Sequence, residues 1–281
     1  MVDITYNIFE DDFNKSLTHS YNLSILIGTE RLSYLISNQQ QQVVSLRSYQ
    51  LRDLSASKPL KKLLLEDSIL RDTFRSVKVG LFSPKFTLLP NALFEASKSQ
   101  AYLSATNQVH RADRVLNDQI SSLELNNVYA FDAAYIDDLK EHFPSAVFYH
   151  ASTGILQNFI QKFDSASTKN IFLNIFGQHL SITVIENNQL LLHNIFSYKA
   201  SPDCLYYVLL VCKQLGLHPH KCLLNIAGDL MEDSEIHKLL YKYVKKIHFV
   251  QRPSYYLFGQ KLEETLASNL FFDLFSLKLC E

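Results

Sequence analysis

Residues 170–202, NIFLNIFGQHLSITVIENNQLLLHNIFSYKASP, read as three consecutive strands that feed a helix. Residues 21–52, YNLSILIGTERLSYLISNQQQQVVSLRSYQLR, are a faint copy of them. Displaced by 149 positions without a gap, Gly28 meets Gly177, Ile36 meets Ile185, Asn38 meets Asn187 and Gln40 meets Gln189. Ser48 and Tyr49 meet Ser197 and Tyr198, which makes six identities over the 26 positions from 25 to 50. Unrelated stretches of ordinary composition would share about one or two. The repeat predicts a duplicated unit of three strands.

The 281 residues suffice for two domains of ordinary size, each with its own core. With 27 basic and 28 acidic side chains the net charge is -1, so no global field favours nucleic acid or an anionic membrane. The lysine clusters at 58, 61 and 62 and at 238, 242, 245 and 246 read as solvated helix faces. The four cysteines form no C-x-x-C pair, and Cys204 and Cys212 lie in the apolar run CLYYVLLVC, as expected of a reduced, cytoplasmic chain. No basic-then-apolar leader is read at the start, and no apolar run has the length of a membrane span. Glycine is scarce, with 7 in the chain, whereas nucleotide folds spend glycines on phosphate loops.

Along the chain, residues 1–20 read as an acidic lead-in. Lys58-Pro59 opens a helix striped by Leu60, Leu63, Leu64, Ile69 and Leu70. Residues 76–82 form a strand, and Asn91 is expected to cap a helix through LFEASKSQAYL. Residues 104–125 are polar and poorly periodic and read as an insertion with one short strand. Two further strands flank a helix over 133–142, and a helix from Thr153 carries the chain across. The second half repeats the order: three strands, a helix opened by Ser201-Pro202-Asp203 and closed by Gly216, the strand CLLNIA, a helix from Asp233 or Ser234, and a last strand over 246–250. The division expected is 1–20, then 21–150 with its insertion, then 151–281 with the crossing helix and the C-terminal tail.

Two copies of βββαβαβ joined by a crossing helix resemble the actin-like ATPase superfamily, which includes actin and the sugar kinases. The implied fold class is α/β, with two ribonuclease-H-like domains facing across a cleft. In that superfamily a hairpin in each domain reaches the phosphates, and a loop after the fourth strand of the second domain meets the adenosine. Gly28, Gly177 and Gly228 fall at those places. The runs FSPKFTLLPNALF, HNIFSYKASPDCLYYVLLVCKQLGL and LLNIAGDL, with the closing Leu-Cys-Glu, resemble a bacterial family typical of Bacteroidetes and known only as a domain of unknown function. The resemblance covers the chain from about Tyr21, and implies the actin-like fold and no activity.

The superfamily's loops carry D-x-G, whose aspartate holds magnesium or the attacking water. Here the loops are Leu26-Ile27-Gly28-Thr29 and Ile175-Phe176-Gly177-Gln178, with aliphatic side chains in both aspartate positions. Ser24 and Asn174 are the nearest polar neighbours, read as sharing the strand face of that position. The adenosine loop keeps one glycine, in Ala227-Gly228-Asp229. Candidate cofactor contacts for ATP and magnesium are therefore Gly28, Thr29, Asn174, Gly177, Gln178, Gly228 and Asp229; no catalytic or metal-ligating residue is assigned. The competing reading is that the glycines serve hairpin geometry alone. His218, His220 and Cys222 alternate but lack the further ligands that zinc takes, and read as a connector. Asp137, Asp138, Glu141 and His142 read as helix surface. The expectation is a pseudo-ATPase acting as a scaffold or interaction protein, with a protein partner and no nucleic acid. The alternative is an ATP-binding switch or weak ATPase working in the interdomain cleft.

Overall fold

The computed structural model describes residues 2–28, 30–51, 58–162 and 169–280. They group into two units, one of residues 1–155, 254–265 and 274–281, the other of residues 156–253 and 266–273.

The first unit begins with β1 (Val2–Phe9), β2 (Asn22–Ile27), β3 (Arg31–Ser37) and β4 (Gln42–Leu51). It continues with α1 (Lys58–Glu66), β5 (Ser76–Leu81), β6 (Phe86–Pro90), α2 (Ser99–Ser104), β7 (Asp113–Ile120), β8 (Leu125–Asp132), α3 (Ala133–His142) and β9 (Val147–His150). Helix α4 (Ala151–Lys162) carries the chain into the second unit. That unit holds β10 (Asn170–Phe176), β11 (His179–Glu186), β12 (Gln189–Ser197), α5 (Ser201–Gln214), β13 (Leu223–Gly228), α6 (Glu235–Tyr243) and β14 (Lys246–Phe249). Three short elements follow: β15 (Leu257–Phe258), α7 (Gln260–Thr265) and α8 (Phe272–Ser276).

The main sheet of the first unit runs β1-β4-β3-β2-β5-β9, with β15 also paired to β4. The sheet of the second runs β12-β11-β10-β13-β14. From β4 to β9 and from β12 to β14 the order is the same. In each, an antiparallel hairpin supplies a central strand, and two crossovers add parallel strands beside it.

One face of each sheet buries an apolar core. Leu23, Ile25 and Ile27 of β2 pack with Leu60 and Leu64 of α1 and Ile136 and Leu139 of α3. Ile171, Leu173 and Ile175 of β10 pack with Val208 and Val211 of α5 and Leu240 of α6. Full burial of each such side chain stabilises by about 1.5–3 kcal/mol. Helix α5 starts where the Asp203 carboxylate accepts the amides of Lys199 (2.9 Å) and Ala200 (3.0 Å). It ends at Gly216, φ +63°, with the Leu217 amide bonded to the Cys212 carbonyl at 2.7 Å.

Three expectations change. The segment after Asn91 forms short 3-10 turns before the six-residue α2, because Asn91 is engaged by β8: its Oδ1 accepts from Asn126 Nδ2 at 2.7 Å. Within 104–125, β7 is a full eight-residue strand that joins β8 and β6 in a separate three-stranded sheet. The tail does not belong wholly with the second half. Residues 254–265 and 274–281 group with the first unit, where β15 pairs β4 and the buried Glu10 accepts the Leu262 amide at 2.8 Å. Gly259 allows that approach, since a methyl there would lie 2.2 Å from Glu10 Cδ.

Candidate functional site

The two hairpins are built alike but turn one residue apart. In the first, Ile27 pairs with Leu32, and the Gly28 amide donates to the Arg31 carbonyl at 2.9 Å. In the second, Phe176 pairs with His179, leaving Gly177 and Gln178 as the loop. Gly28 therefore closes its strand, whereas Gly177 opens its turn. The core-facing residues agree: Leu23, Ile25, Ile27, Leu32, Tyr34 and Ile36 of the first hairpin each stand 148 positions before a core residue of the second, from Ile171 to Val184. The structural equivalence is thus 148, not 149. A one-residue slip exchanges the faces of a strand.

That slip decides where the aspartate positions point. Leu26 is 0% exposed and lies on the face of β2 away from α1 and α3. A methyl on Gly80 would fall 2.7 Å from Leu277 Cδ2 and 3.0 Å from Leu26 Cδ1, so both leucines pack over that glycine. Ile175 is 1% exposed and points the other way, into the core beneath α5. Ser24 shares the face of Leu26, as expected. Asn174 does not share the face of Ile175, because it directly precedes it and successive side chains alternate.

Of the seven candidate contacts, the structure brings four together. A methyl on Gly228 would lie 2.1 Å from the Ile175 carbonyl oxygen and 2.7 Å from Asn174 Oδ1; with φ +78°, only glycine suits this position. The Asp229 amide donates to that same carbonyl at 2.8 Å, and one Asp229 carboxylate oxygen accepts the Gly177 amide at 3.3 Å. Gly177 has φ +55° and open space around it. The Gln178 side chain is exposed, and its backbone carbonyl accepts the Tyr198 amide at 3.0 Å. Gly28 belongs to the first unit, and Thr29 lies outside the described residues.

Two residues not predicted from sequence complete the second loop. Tyr198 Oη donates to the Gly177 carbonyl at 2.9 Å, and its pKa is pushed up to about 12, first by burial and then by Cys204 and Asp229. Asn269 Nδ2 donates to the carbonyls of Gly228 and Leu230, both at 2.8 Å, while its own carbonyl accepts the Gly228 amide. Tyr198 appeared in the repeat, but nothing local in the sequence ties Asn269 to a loop some 40 residues earlier. Asn174 is 1% exposed, and among the described residues neither its Oδ1 nor its Nδ2 has a hydrogen-bond partner; the Ser181 hydroxyl, directly across the strand pair, has none there either.

Beside the first hairpin lies a cavity of about 520 Å³, reached by Gly28. Phe82, Phe131 and Tyr135 give it an apolar floor, and Lys85 and Asp113, paired at 2.6 Å, a charged lip. Behind it, Asp118 accepts the His150 amide (2.6 Å) and the hydroxyls of Thr153 (2.8 Å) and Tyr129 (3.1 Å). Burial pushes the Asp118 carboxyl up to about 7, against those hydrogen bonds. Burial also pulls His150 down to about 4, and its Nε2 lies 2.8 Å from the Ser83 carbonyl, so the neutral ring donates there.

The weaker motifs resolve into structure. Cys222 points into the core, whereas His218 and His220 are exposed, so the three do not converge. Asp138 is buried and takes Lys61 at 3.0 Å, and Asp137 takes Arg114 at 2.8 Å. All four cysteines are buried and unbridged. Among the described residues no helix is long and apolar enough to cross a membrane.

A family model described as a protein of unknown function (DUF3822) matches residues 10–247. The chain belongs to this family. This DUF3822 chain is similar to a Bacteroides thetaiotaomicron protein described as having an actin-like ATPase fold and unknown function, at 23% identity and TM-score 0.81, covering 96% of this chain and 99% of that one. It is similar to a chain of a PilM-PilN type IV pilus biogenesis complex at 13% identity and TM-score 0.62, covering 92% and 97%. It is also similar to the ethanolamine utilization protein EutJ from Carboxydothermus hydrogenoformans at 9% identity and TM-score 0.51, covering 93% and 90%. A comparison with curated proteins returns no match. At these identities the likeness is one of fold. The DUF3822 chain has the actin-like ATPase fold, with a ribonuclease-H-like sheet in each unit.

Proposed function

We propose that this DUF3822 protein is an actin-like scaffold or interaction protein whose nucleotide chemistry has been lost. The observation that carries the reading is the pair of aspartate positions. Leu26 is fully buried, sharing the space over Gly80 with Leu277, and Ile175 is buried in the core beneath α5. Neither can ligate magnesium or polarise water, and a carboxylate introduced at either would be desolvated. Asp229 adds to this, since it sets a carboxylate on the Gly177 amide, where a phosphate would be repelled. A protein partner fits the apolar-floored cavity with its charged lip, and one protein of similar fold is described as part of a complex.

One observation favours the alternative, an ATP-binding switch. Asn174 presents two buried, unpartnered polar atoms beside Gly228, and such atoms take a partner where one is offered. Thermal unfolding with millimolar ATP and magnesium separates the two. A ligand at a hundred times its Kd adds about 2.7 kcal/mol. We expect no stabilisation beyond that given by magnesium chloride. A magnesium-dependent rise in Tm that Asn174→Leu abolishes would replace the scaffold reading with the switch.

A further inference from the structure

The outer edge of the second sheet differs from its counterpart in the first. There β4 is flanked by β3 and, on its other side, by β1, which runs antiparallel to it from Val2 opposite Leu51 to Phe9 opposite Ser45. The corresponding strand β12 ends its sheet, and among the described residues no strand pairs with its other side. The Tyr198 amide donates to the Gln178 carbonyl at 3.0 Å, so by antiparallel alternation the backbones of Phe196, Asn194 and Leu192 bond to Leu180, Ile182 and Val184 of β11. The backbones of His193, Ile195 and Ser197 therefore turn outward. The outward Ile195 amide is met at 2.9 Å by Oδ1 of its own neighbour, Asn194, where a strand alongside would offer a backbone carbonyl. The opposite edge, β14, is four residues long and carries Lys246, and both features guard against edge pairing. β12 has nine residues, none of them Lys, Arg, Asp or Glu. A bulge at Leu191 interrupts it near its start and leaves residues 192–197 in regular register.

We propose that this edge is a dimer interface, at which β12 of a second copy of the chain pairs antiparallel with it. The side chains beside the edge suit such a neighbour. Leu192 and Phe196 are only partly buried against the core under α5, and Leu191 is 39% exposed. Phe196 stacks on Tyr207 of α5 at 4.4 Å, and next to Tyr207 stands Tyr206, 60% exposed. Tyrosine and phenylalanine are enriched at the centres of protein interfaces. A second copy fits because β12 has no formal charge to repel its own image. The pairing of β1 with β4 shows that this edge of the fold accepts an antiparallel strand. Pairing across a twofold axis also closes, since each copy covers the open edge of the other in one continuous sheet with five strands from each. Such a dimer forms whether or not the hairpin loops bind nucleotide.

The test is sedimentation equilibrium of the full chain. The average mass should rise from the 32.4 kDa of one chain to twice that value as the concentration is raised to about 100 μM, as a micromolar dimer requires. Leu191→Lys combined with Asn194→Lys places lysines at two exposed positions of the edge and should leave a monomer. Leu65→Lys, at an exposed position of α1, should leave the dimer intact. A parent that stays monomeric or grows past two chains overturns the proposal, and so does a dimer that survives the double lysine change. Hydrogen exchange of the parent gives a readout that needs no variant. The amides of His193, Ile195 and Ser197 should slow at least about tenfold as concentration rises, while those of Leu192, Asn194 and Phe196 stay as they are. A dimer in which the three outward amides exchange unchanged also overturns the proposal.

Discussion

The strands before the two hairpins carry the same fold with opposite solutions behind them. On the face of β2 away from α1 and α3, Leu26 and Leu277 share the space over Gly80, and Ser33 pairs with Ser48 at 2.9 Å. On the matching face of β10, Phe172 stacks on Phe159 at 4.0 Å, while Asn174 keeps two polar atoms without partners. The helix-facing sides differ in reverse. In the first unit Tyr34 and Tyr49 donate to the buried Asp67 at 2.8 and 2.5 Å, and Arg47 lies 3.2 Å from it. In the second, Ile182 and Phe196 occupy the equivalent pairing positions, and the core there is apolar. Around Asp67 in the first unit the buried polar groups satisfy one another; among the described residues, the buried Asn174 amide beside the second hairpin has no partner. A polar group left unsatisfied is the one able to receive something else.

The comparison can be broken most severely at Asp67. Asp67→Ala leaves Arg47 and two tyrosines facing a void, so denaturant unfolding should record a loss of about 3–5 kcal/mol. The pH dependence has a definite sign. Burial alone would raise the Asp67 carboxyl, but hydrogen bonds from Tyr49, the Ile69 amide and Tyr34, with the Arg47 charge, hold it below the usual range. A depressed carboxyl stabilises above its ordinary pKa and stops doing so as pH falls through its folded value. The gap between parent and variant should be full at pH 7 and close progressively below about pH 4. A gap independent of pH would deny the network its charge.

Next comes the leucine that lies with Leu26 over Gly80. Leu277→Ala should cost about 2–5 kcal/mol. Adding Gly80→Ala should recover part of that loss, because its methyl enters the space Leu277 vacates. Strict additivity of the two changes would show that Leu277 does not pack over Gly80 of β5. The glycines of the second loop give smaller, graded effects. Gly228→Ala meets the Ile175 carbonyl and should cost at least about 2 kcal/mol, whereas Gly177→Ala, with free space around it, should cost about 1 kcal/mol. Equal losses would mean that close approach at Gly228 is unimportant. The smallest effect belongs to Asn174→Leu, which removes the unpartnered amide at nearly constant volume. Its Tm should stay level or rise, and a loss above about 1 kcal/mol would reveal a partner for Asn174.

Much of this architecture was legible in the chain. Alternating and continuous apolar runs marked both hairpins, and Asp203, Pro202 and Gly216 marked the ends of α5, because these signals act within a few residues. The displacement of 149 was misleading by one. Its anchor glycines are turn residues, and a turn can shift along a strand while the core stays fixed. Leu32 and Leu180, buried alike, carry the true register. The second loop was half legible: Gly177, Gly228 and Asp229 stood out, yet Asn269 joins them only through the fold. The division of the tail was illegible for the same reason, since Glu10 and Leu262 meet across 252 positions.

The placement of residues 254–280 has a consequence for how the chain is made. Domains of a nascent chain ordinarily fold in order, the earlier one first, as synthesis proceeds at about 5–20 residues per second. Here the main sheet of the first unit cannot acquire Leu277 over Gly80, or β15 beside β4, until everything between has been translated. The second unit has nearly all of its parts by residue 253 and lacks only residues 266–273. The unit that is written first is therefore finished last, and until then the start of β4, at Gln42 and Val43, and the face of Leu26 stand open to chaperones or to misassembly.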